Sequence, residues 1–158
     1  MRARLSIFLV CMLVTVITFA ALASADKEEQ ALQTLIPKIV SSWGTMDMSK
    51  IEPFYAKDAD FAYFDIAPMK YDNWQEYREG AVKLLFDPNR SLTTSLNSDL
   101  RIHRRGSFAW ATFTFAADIV SKQGTSSRLN GRWTMVLEKR PQGWIVVHEH
   151  VSAPLPGS

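Results

Sequence analysis

Apolar residues recur along this chain first with helical spacing and later with strand spacing. The first helix is predicted from apolar positions that share one helix face, namely Leu32, Leu35, Ile36, Ile39, Val40 and Trp43. Pro37 lies inside this pattern and should bend the helix. A second, short helix is predicted to begin at Asp47 as its N-cap and to run through Ile51, Phe54 and Tyr55.

A third helix is predicted after residue 72, where Asp72 and Gln75 have the spacing of a capping box. Its apolar face comprises Trp74, Tyr77, Ala81, Leu84 and Leu85, and the run Asp87-Pro88-Asn89 ends it. Between the second and third helices, Phe61 and Tyr63 indicate a short strand that turns at Ala67-Pro68.

The chain after residue 90 is typical of antiparallel strands separated by turns. The pattern predicts strands over Leu92–His103, Ser107–Val120, Arg128–Lys139 and Trp144–Val151. Helices followed by such strands predict an α+β fold with the helices on one face of a sheet. Long strands usually curl, and a curled sheet closed by helices encloses a cavity.

The last two strands carry the residues with the most distinctive chemistry. Pro141-Gln142-Gly143 predicts a three-residue loop. A loop of this length sets a register that pairs Arg140 with Trp144, Val136 with His148 and Thr134 with His150. One face then carries Arg132, Thr134, Val136, Val146, His148, His150 and Ser152. The other carries Trp133, Met135, Leu137, Ile145, Val147 and Val151, with Glu149 as its one charge.

This division of the hairpin allows two interpretations. In the first, the tryptophan face is buried and the arginine and histidines lie in water. In the second, Arg132, His148 and His150 line a partly dry pocket for an anion or a polar ligand end, and the tryptophan face packs against another subunit or a C-terminal segment.

The N-terminus has the three parts of a secretory signal peptide. Two arginines in Met1–Arg4 precede an uncharged apolar run over residues 5–22, and Ala23-Ser24-Ala25 follows. We expect cleavage before Asp26, which leaves residues 26–158 as one domain in the periplasm or outside the cell; a retained membrane anchor is the alternative. The only cysteine, Cys11, lies in this leader, and export without disulfides favours a bacterial periplasm.

The charge balance argues against a nucleic-acid partner. The formal net charge is +2, from 18 basic and 16 acidic residues, but Arg2 and Arg4 belong to the leader. The mature chain therefore has 16 basic and 16 acidic residues and is neutral, which offers no attraction to a phosphate backbone or, after cleavage, to a membrane.

Metal binding is also not expected from the sequence. His148 and His150 have the spacing of a metal pair, but a third ligand would have to come from His103 or Asp118, and no motif places either. Nor does the chain contain a serine nucleophile elbow or a nucleotide fingerprint, so no cofactor is expected.

The C-terminal hairpin resembles the signature of the nuclear transport factor 2-like superfamily, most closely its SnoaL-like branch. The resemblance lies in Arg132–Val136, Lys139–Trp144 and Val147–Pro154, with upstream support from Ile51–Tyr55 and Asp60–Asp65. The association domain of calcium/calmodulin-dependent kinase is similar too. The resemblance implies a cone-shaped roll, in which a strongly curved, mostly antiparallel sheet wraps around three N-terminal helices. It also implies a pocket and a homodimer formed through the outer sheet face.

The same resemblance supplies candidate site residues. The pocket positions carried over are Arg132, His148, His150, Tyr55, Tyr63 and Asp65, with Trp43 as a cap. Asp65 or His148 could serve as a catalytic base with Tyr55 or Tyr63 as the oxyanion donor, and Asp118 is an alternative carboxylate. Three functions stay open: a small-molecule-binding domain, an isomerase, cyclase or lyase acting on a carbonyl compound without metal, and a homo-oligomerisation or interaction module.

Overall fold

A computed structural model describes residues 27–58, 60–66 and 68–155. The chain divides into two compact units, residues 1–34 and residues 35–158. In the first unit residues 27–34 are helical, and the Thr34 hydroxyl donates to the Gln30 carbonyl at 2.9 Å. The expected signal peptide, residues 1–25, lies outside the described residues and stays a prediction.

The helices of the second unit occur where the apolar spacing predicts them. They are α1 over residues 35–43, α2 over Met48–Ile51 with a 3-10 turn over Glu52–Phe54, and α3 over Trp74–Ala81 with a π-helical turn over Val82–Phe86. Asp47 is the N-cap of α2, as expected, because its carboxylate accepts a hydrogen bond from the Ser49 N–H.

The capping box of α3 lies one residue later than the sequence analysis places it. Asn73, not Asp72, is the N-cap, and its side-chain oxygen accepts from the Glu76 N–H at 2.9 Å. The Glu76 carboxylate in turn accepts from the Asp72 N–H at 3.0 Å. One bond of a capping box is therefore present, with Glu76 in the role that was given to Gln75, while the return bond comes from the residue before the N-cap.

Five strands form one antiparallel sheet. They are β1 (Asn89–Leu96), β2 (Arg101–Arg105), β3 (Phe108–Ser121), β4 (Ser126–Arg140) and β5 (Gly143–Ser152). The order is β1-β3-β4-β5, and β2 also pairs with β3. The sheet is not closed, and the α+β fold class predicted from the sequence is confirmed.

The strand expected over Leu92–His103 is two strands, β1 and β2. The residues between them form a loop that is fixed by Asp99, whose carboxylate accepts the Thr114 N–H at 3.0 Å and the Thr114 hydroxyl at 2.9 Å. Similarly, Phe61 and Tyr63 do not begin a strand; only isolated bridges join Tyr63 to Tyr71 and Phe64 to His150.

The two faces of the sheet differ in burial. The inner face carries buried residues of β3 and β4, including Ala109, Ala111, Phe113, Phe115, Trp133, Met135 and Leu137. The outer face carries the residues between them, such as Trp110 and Arg132, which are exposed. Within the described residues, no helix is both long and apolar enough to cross a membrane.

Candidate functional site: a buried carboxylate beside an apolar cavity

A β-bulge in β5 decides which side chains of the last hairpin point inward. The predicted pairs Val136–His148 and Thr134–His150 are confirmed, but Leu137 pairs with Val146. Closer to the turn, Arg140 pairs with Gly143 instead of Trp144, because the loop has two residues and Gly143 adopts a φ of 130°.

The residue left over in this register is Val147, which occupies the bulge between the pairs Val136–His148 and Leu137–Val146. Val146 therefore shares the inner face with Glu149. Because a regular ladder alternates sides without interruption, the sequence predicted Val146 on the other face, with the histidines.

The tryptophan face is the buried one. Trp133 is 4% exposed and Glu149 is 0% exposed, whereas Arg132 and His150 are exposed. His148 is half-buried on the outer face, where its Nδ1 lies 2.7 Å from the Ala62 carbonyl oxygen. The second interpretation of the hairpin, in which Arg132, His148 and His150 line the cavity, is thus wrong: their register places them on the opposite face.

Glu149 receives three hydrogen bonds from aromatic side chains. The Tyr55 hydroxyl donates to Oε2 at 2.8 Å, and the Trp133 indole N–H donates to the same oxygen at 3.0 Å. The Tyr77 hydroxyl donates to Oε1. The Trp43 indole N–H completes the cluster by donating to the Tyr55 hydroxyl at 2.9 Å. One carboxylate therefore links α1, α3 and the end of the 3-10 turn to the sheet.

Burial dominates the ionisation of this cluster. It raises the pKa of Glu149 to about 7, although the hydrogen bonds from the two tyrosines and Trp133 act in the opposite direction. The negative charge of Asp65 raises it further. Burial also raises the pKa values of Tyr55 and Tyr77 well above the ordinary value, so both remain protonated donors.

A cavity of about 240 Å³ lies next to this cluster, between α3 with its π-helical turn and the inner face of the sheet. Trp43, Tyr77 and Trp133 border the cavity and belong to the Glu149 cluster, which fixes their rings. The rest of the wall is mostly apolar and includes Ala81, Leu84, Leu85, Leu92, Phe115, Ala117, Ile119, Leu129 and Val151.

Among the described residues that border the cavity, Asp65 is the only one with a carboxyl group. Its side chain is half-buried, and burial raises its pKa, while the Ile66 N–H that donates to its Oδ1 at 2.7 Å opposes that shift. Of the two candidate bases, Asp65 therefore lies at the cavity and His148 does not.

The other candidate residues are distributed as follows. Trp43 borders the cavity. Tyr55 and Tyr63 are buried but are not among the residues that border the cavity, and their hydroxyls donate to Glu149 and to the Ala56 carbonyl, so neither is available as an oxyanion donor. Asp118 pairs with Arg128 at 2.8 Å on an exposed part of the sheet, which removes it as an alternative carboxylate.

Three residues of the site were missed from the sequence. Glu149 was visible as the single charge on an apolar face, and this was the signal that could have identified it. Tyr77 was assigned only to a helix face. Tyr71 borders the cavity because Gly80 has no side chain: a Cβ at position 80 would overlap the Tyr71 ring. No group of three or more His, Cys, Asp or Glu side chains that could hold a metal ion occurs among the described residues.

The chain belongs to the SnoaL-like domain family, whose model matches residues 34–156. Among solved structures, it is similar to a nuclear transport factor 2-like superfamily protein from Salmonella enterica serovar Typhimurium, with 20% identity and a TM-score of 0.77. That match covers 85% of this chain and 96% of the other. The family resemblance proposed from the sequence is confirmed.

Two further structures share the fold. A protein assigned as a calcium/calmodulin-dependent protein kinase II association domain from Xanthomonas campestris matches at 18% identity and a TM-score of 0.67, over 80% of this chain and 87% of the other. A protein assigned as a scytalone dehydratase from Novosphingobium aromaticivorans matches at 10% identity and a TM-score of 0.73, over 84% of this chain and 88% of the other. No curated protein is similar enough in sequence to match. At these identities the structures define the fold alone.

Proposed function

We propose that this chain binds one small, largely apolar molecule in the cavity beside Glu149. The observation that carries the proposal is a cavity of about 240 Å³ whose wall is apolar except at a few positions. Specific small-molecule sites have this composition, with few polar groups to orient the ligand. Asp65 is one such group; the Thr94 hydroxyl is already used as a donor to the Val40 carbonyl at 2.7 Å.

The rigidity of the wall supports binding in a preformed site. Tyr77 and Trp133 donate directly to the buried Glu149 carboxylate, and Trp43 is linked to it through the Tyr55 hydroxyl. A wall that is already ordered loses little side-chain entropy when a ligand binds, so more of the contact energy appears as affinity.

The five tryptophans allow this proposal to be tested by NMR. Titration with 2-phenylethanol, a small uncharged aromatic alcohol, should shift the indole N–H signals of Trp43 and Trp133, which border the cavity. The signal of Trp110, on the outer face, is the internal control. Equal shifts of all three signals, or none, would contradict the proposal.

A cavity-filling variant provides the matched test. Ala117→Phe adds a ring to the cavity wall and should abolish saturable binding of 2-phenylethanol. Thr134→Phe adds the same ring to the outer face and should leave the binding constant within about twofold of the original.

A second candidate function is proton transfer next to a carbonyl group. It is favoured by one observation: the pKa of Asp65, at the cavity wall, is raised by burial, as expected of a general acid or base. The structural relative assigned as a scytalone dehydratase agrees with enzymatic use of the fold. With cyclohexanone in D2O, the chain should accelerate α-proton exchange, and Asp65→Asn should return the rate to that of buffer.

We also keep two proposals made from the sequence. Export through a cleaved signal peptide predicts that the protein isolated from its host begins at Asp26, which N-terminal sequencing would establish. A homodimer formed through the outer face is supported by Phe108 and Trp110, which are 49% and 38% exposed there. Trp110→Ser should then reduce the mass measured by light scattering to that of one chain.

A further inference from the structure

The described part of the cavity wall contains no positively charged side chain. None of the described residues that border the cavity is a lysine, an arginine or a histidine, and among them Asp65 is the one group that can carry a charge at neutral pH. The two tyrosines in the wall stay neutral, because burial raises the pKa of Tyr71 to about 12 and raises the pKa of Tyr77 well above its ordinary value. The wall can therefore attract a cation and offers an anion no partner.

We infer that the occupant of the cavity is a small hydrophobic amine, bound as its ammonium cation. This inference rests on the proposed binding function and adds the chemical class of the ligand to it. It also differs from the expectation of an anionic or polar ligand end at Arg132, which lies on the opposite face of the sheet.

The first argument is the state of the Asp65 carboxylate. Oδ1 accepts the Ile66 N–H, and within the described part of the chain Oδ2 has no hydrogen-bond partner and the side chain has no ion pair. Two other carboxylates are paired with arginine, Asp58 with Arg140 and Asp118 with Arg128, each at 2.8 Å. A half-buried carboxylate without a cation is costly, and an ammonium ligand would supply the missing charge.

The second argument is the aromatic composition of the wall. Trp43, Tyr71, Tyr77, Phe115 and Trp133 all border the cavity. Neighbouring rings are inclined to one another: 41° for Trp43 and Tyr77, 67° for Trp43 and Trp133, and 63° for Phe115 and Trp133. Inclined rings enclose a space and do not stack. Such an enclosure attracts organic cations through the negative faces of the rings, most strongly where water is excluded.

The third argument is the charge behind the wall. Glu149 lies one hydrogen bond behind Tyr77 and Trp133, and its carboxylate interacts electrostatically with Asp65. The two carboxyls disfavour each other's ionisation, and a cation in the cavity would relieve that repulsion. Binding of an amine should therefore become tighter as the pH rises and Asp65 loses its proton. An alkyl amine remains charged throughout, because its pKa is about 10.

The experiment compares three probes of similar shape and different charge: 2-phenylethylamine, 2-phenylethanol and 3-phenylpropanoate. Each is titrated at pH 8 into the full chain, with the indole N–H signals of Trp43 and Trp133 as the readout. The amine should bind about tenfold more tightly than the alcohol, as expected of a charge-assisted hydrogen bond. The propanoate should bind most weakly.

Two variants locate the effect. Asp65→Asn keeps the acceptor for the Ile66 N–H and removes the charge, so it should lower the affinity for the amine about tenfold, to that for the alcohol. Asp60→Asn removes an exposed carboxylate from the same connecting segment and should leave the preference for the amine unchanged.

The possible results separate the inference from the function on which it rests. If the alcohol or the propanoate shifts the two indole signals at least as tightly as the amine, the inference fails and small-molecule binding stands. If none of the three probes shifts those signals in a folded chain, both fail. A preference for the amine that survives in Asp65→Asn would also overturn the inference.

Discussion

The two faces of the β4–β5 hairpin use their polar groups in opposite ways. On the outer face Arg132 and His150 are exposed and His148 is half-buried. On the inner face a single carboxylate, Glu149, is fully enclosed and accepts three hydrogen bonds. Residue types that often bind ligands therefore lie outside, while the polar group that organises the cavity is the one with no exposure.

This comparison shows that neighbouring residues of one strand can differ completely in energetic role. Burying a carboxylate is unfavourable unless donors satisfy it, and each donor left without its acceptor would be penalised in turn. Glu149 and its donors are therefore interdependent. On the outer face, His150 is exposed to water, and the Nδ1 of His148 contacts the Ala62 carbonyl oxygen outside any such network.

The largest expected effect comes from removing the inner carboxylate. Glu149→Leu leaves two tyrosine hydroxyls and the Trp133 indole N–H without an acceptor, and should lower the free energy of unfolding by about 3–5 kcal/mol. His150→Leu, at the next residue, should change it by less than about 0.5 kcal/mol. Urea denaturation measures both; similar losses in the two variants would eliminate the contrast between the faces.

The second-largest effect is a pH dependence of the free energy of unfolding, which arises from Glu149 on the inner face. The folded chain holds the Glu149 proton up to about pH 7, whereas the ordinary pKa of the group is 4.5. Protonation therefore stabilises the folded state. Its contribution, about 3 kcal/mol, is complete below pH 4.5 and is lost as the pH rises through 7.

Glu149→Gln isolates this contribution, because glutamine keeps the volume of the side chain and does not titrate. The difference in unfolding free energy between the original chain and Glu149→Gln should shift by about 3 kcal/mol between pH 4.5 and pH 8, against the original chain. Glu79→Gln, at an exposed position of α3, is the control and should show no such shift. A pH-independent difference would mean that Glu149 is ionised throughout.

The smallest effect is expected on the outer face. Arg132→Ala removes an exposed side chain whose guanidinium contacts the Ala153 carbonyl at 3.4 Å. The affinity for an uncharged cavity probe should change by less than about twofold, because Arg132 lies on the other side of the sheet from the cavity. Calorimetric or NMR titration would measure the affinity, and a tenfold loss of affinity would mean that Arg132 contributes to binding after all.

Much of the fold could be predicted from local signals. The helix faces follow from apolar spacing, the start of α2 from Asp47, and most pairs of the last hairpin from its turn residues. The same signals could not place the bulge at Val147, because the fit of the β5 side chains against the helices decides which residues of the strand face inward. The inner and outer faces near the turn were therefore interchanged for Val146.

The candidate site was less predictable than the fold because its contacts are long-range. The donors of Glu149 come from positions 94, 72 and 16 residues away, and no local pattern brings them together. The cavity, too, is defined by space that no side chain fills. The family resemblance supplied Trp43 and Asp65, which border the cavity. It also supplied Arg132, His148 and His150, which their residue types favoured too, and these lie on the opposite face of the sheet.

Substitutions at Gly80 offer a way to change the size of the cavity without altering its charge. Because the aromatic ring of Tyr71 occupies the place that a Cβ at position 80 would need, even one methyl group would push that ring aside. Tyr71 and Gly80 both border the cavity, so its dimensions depend on a residue without a side chain. A series of small substitutions at position 80 would thus change which molecules fit the cavity, while Asp65 and the Glu149 carboxylate remained in place.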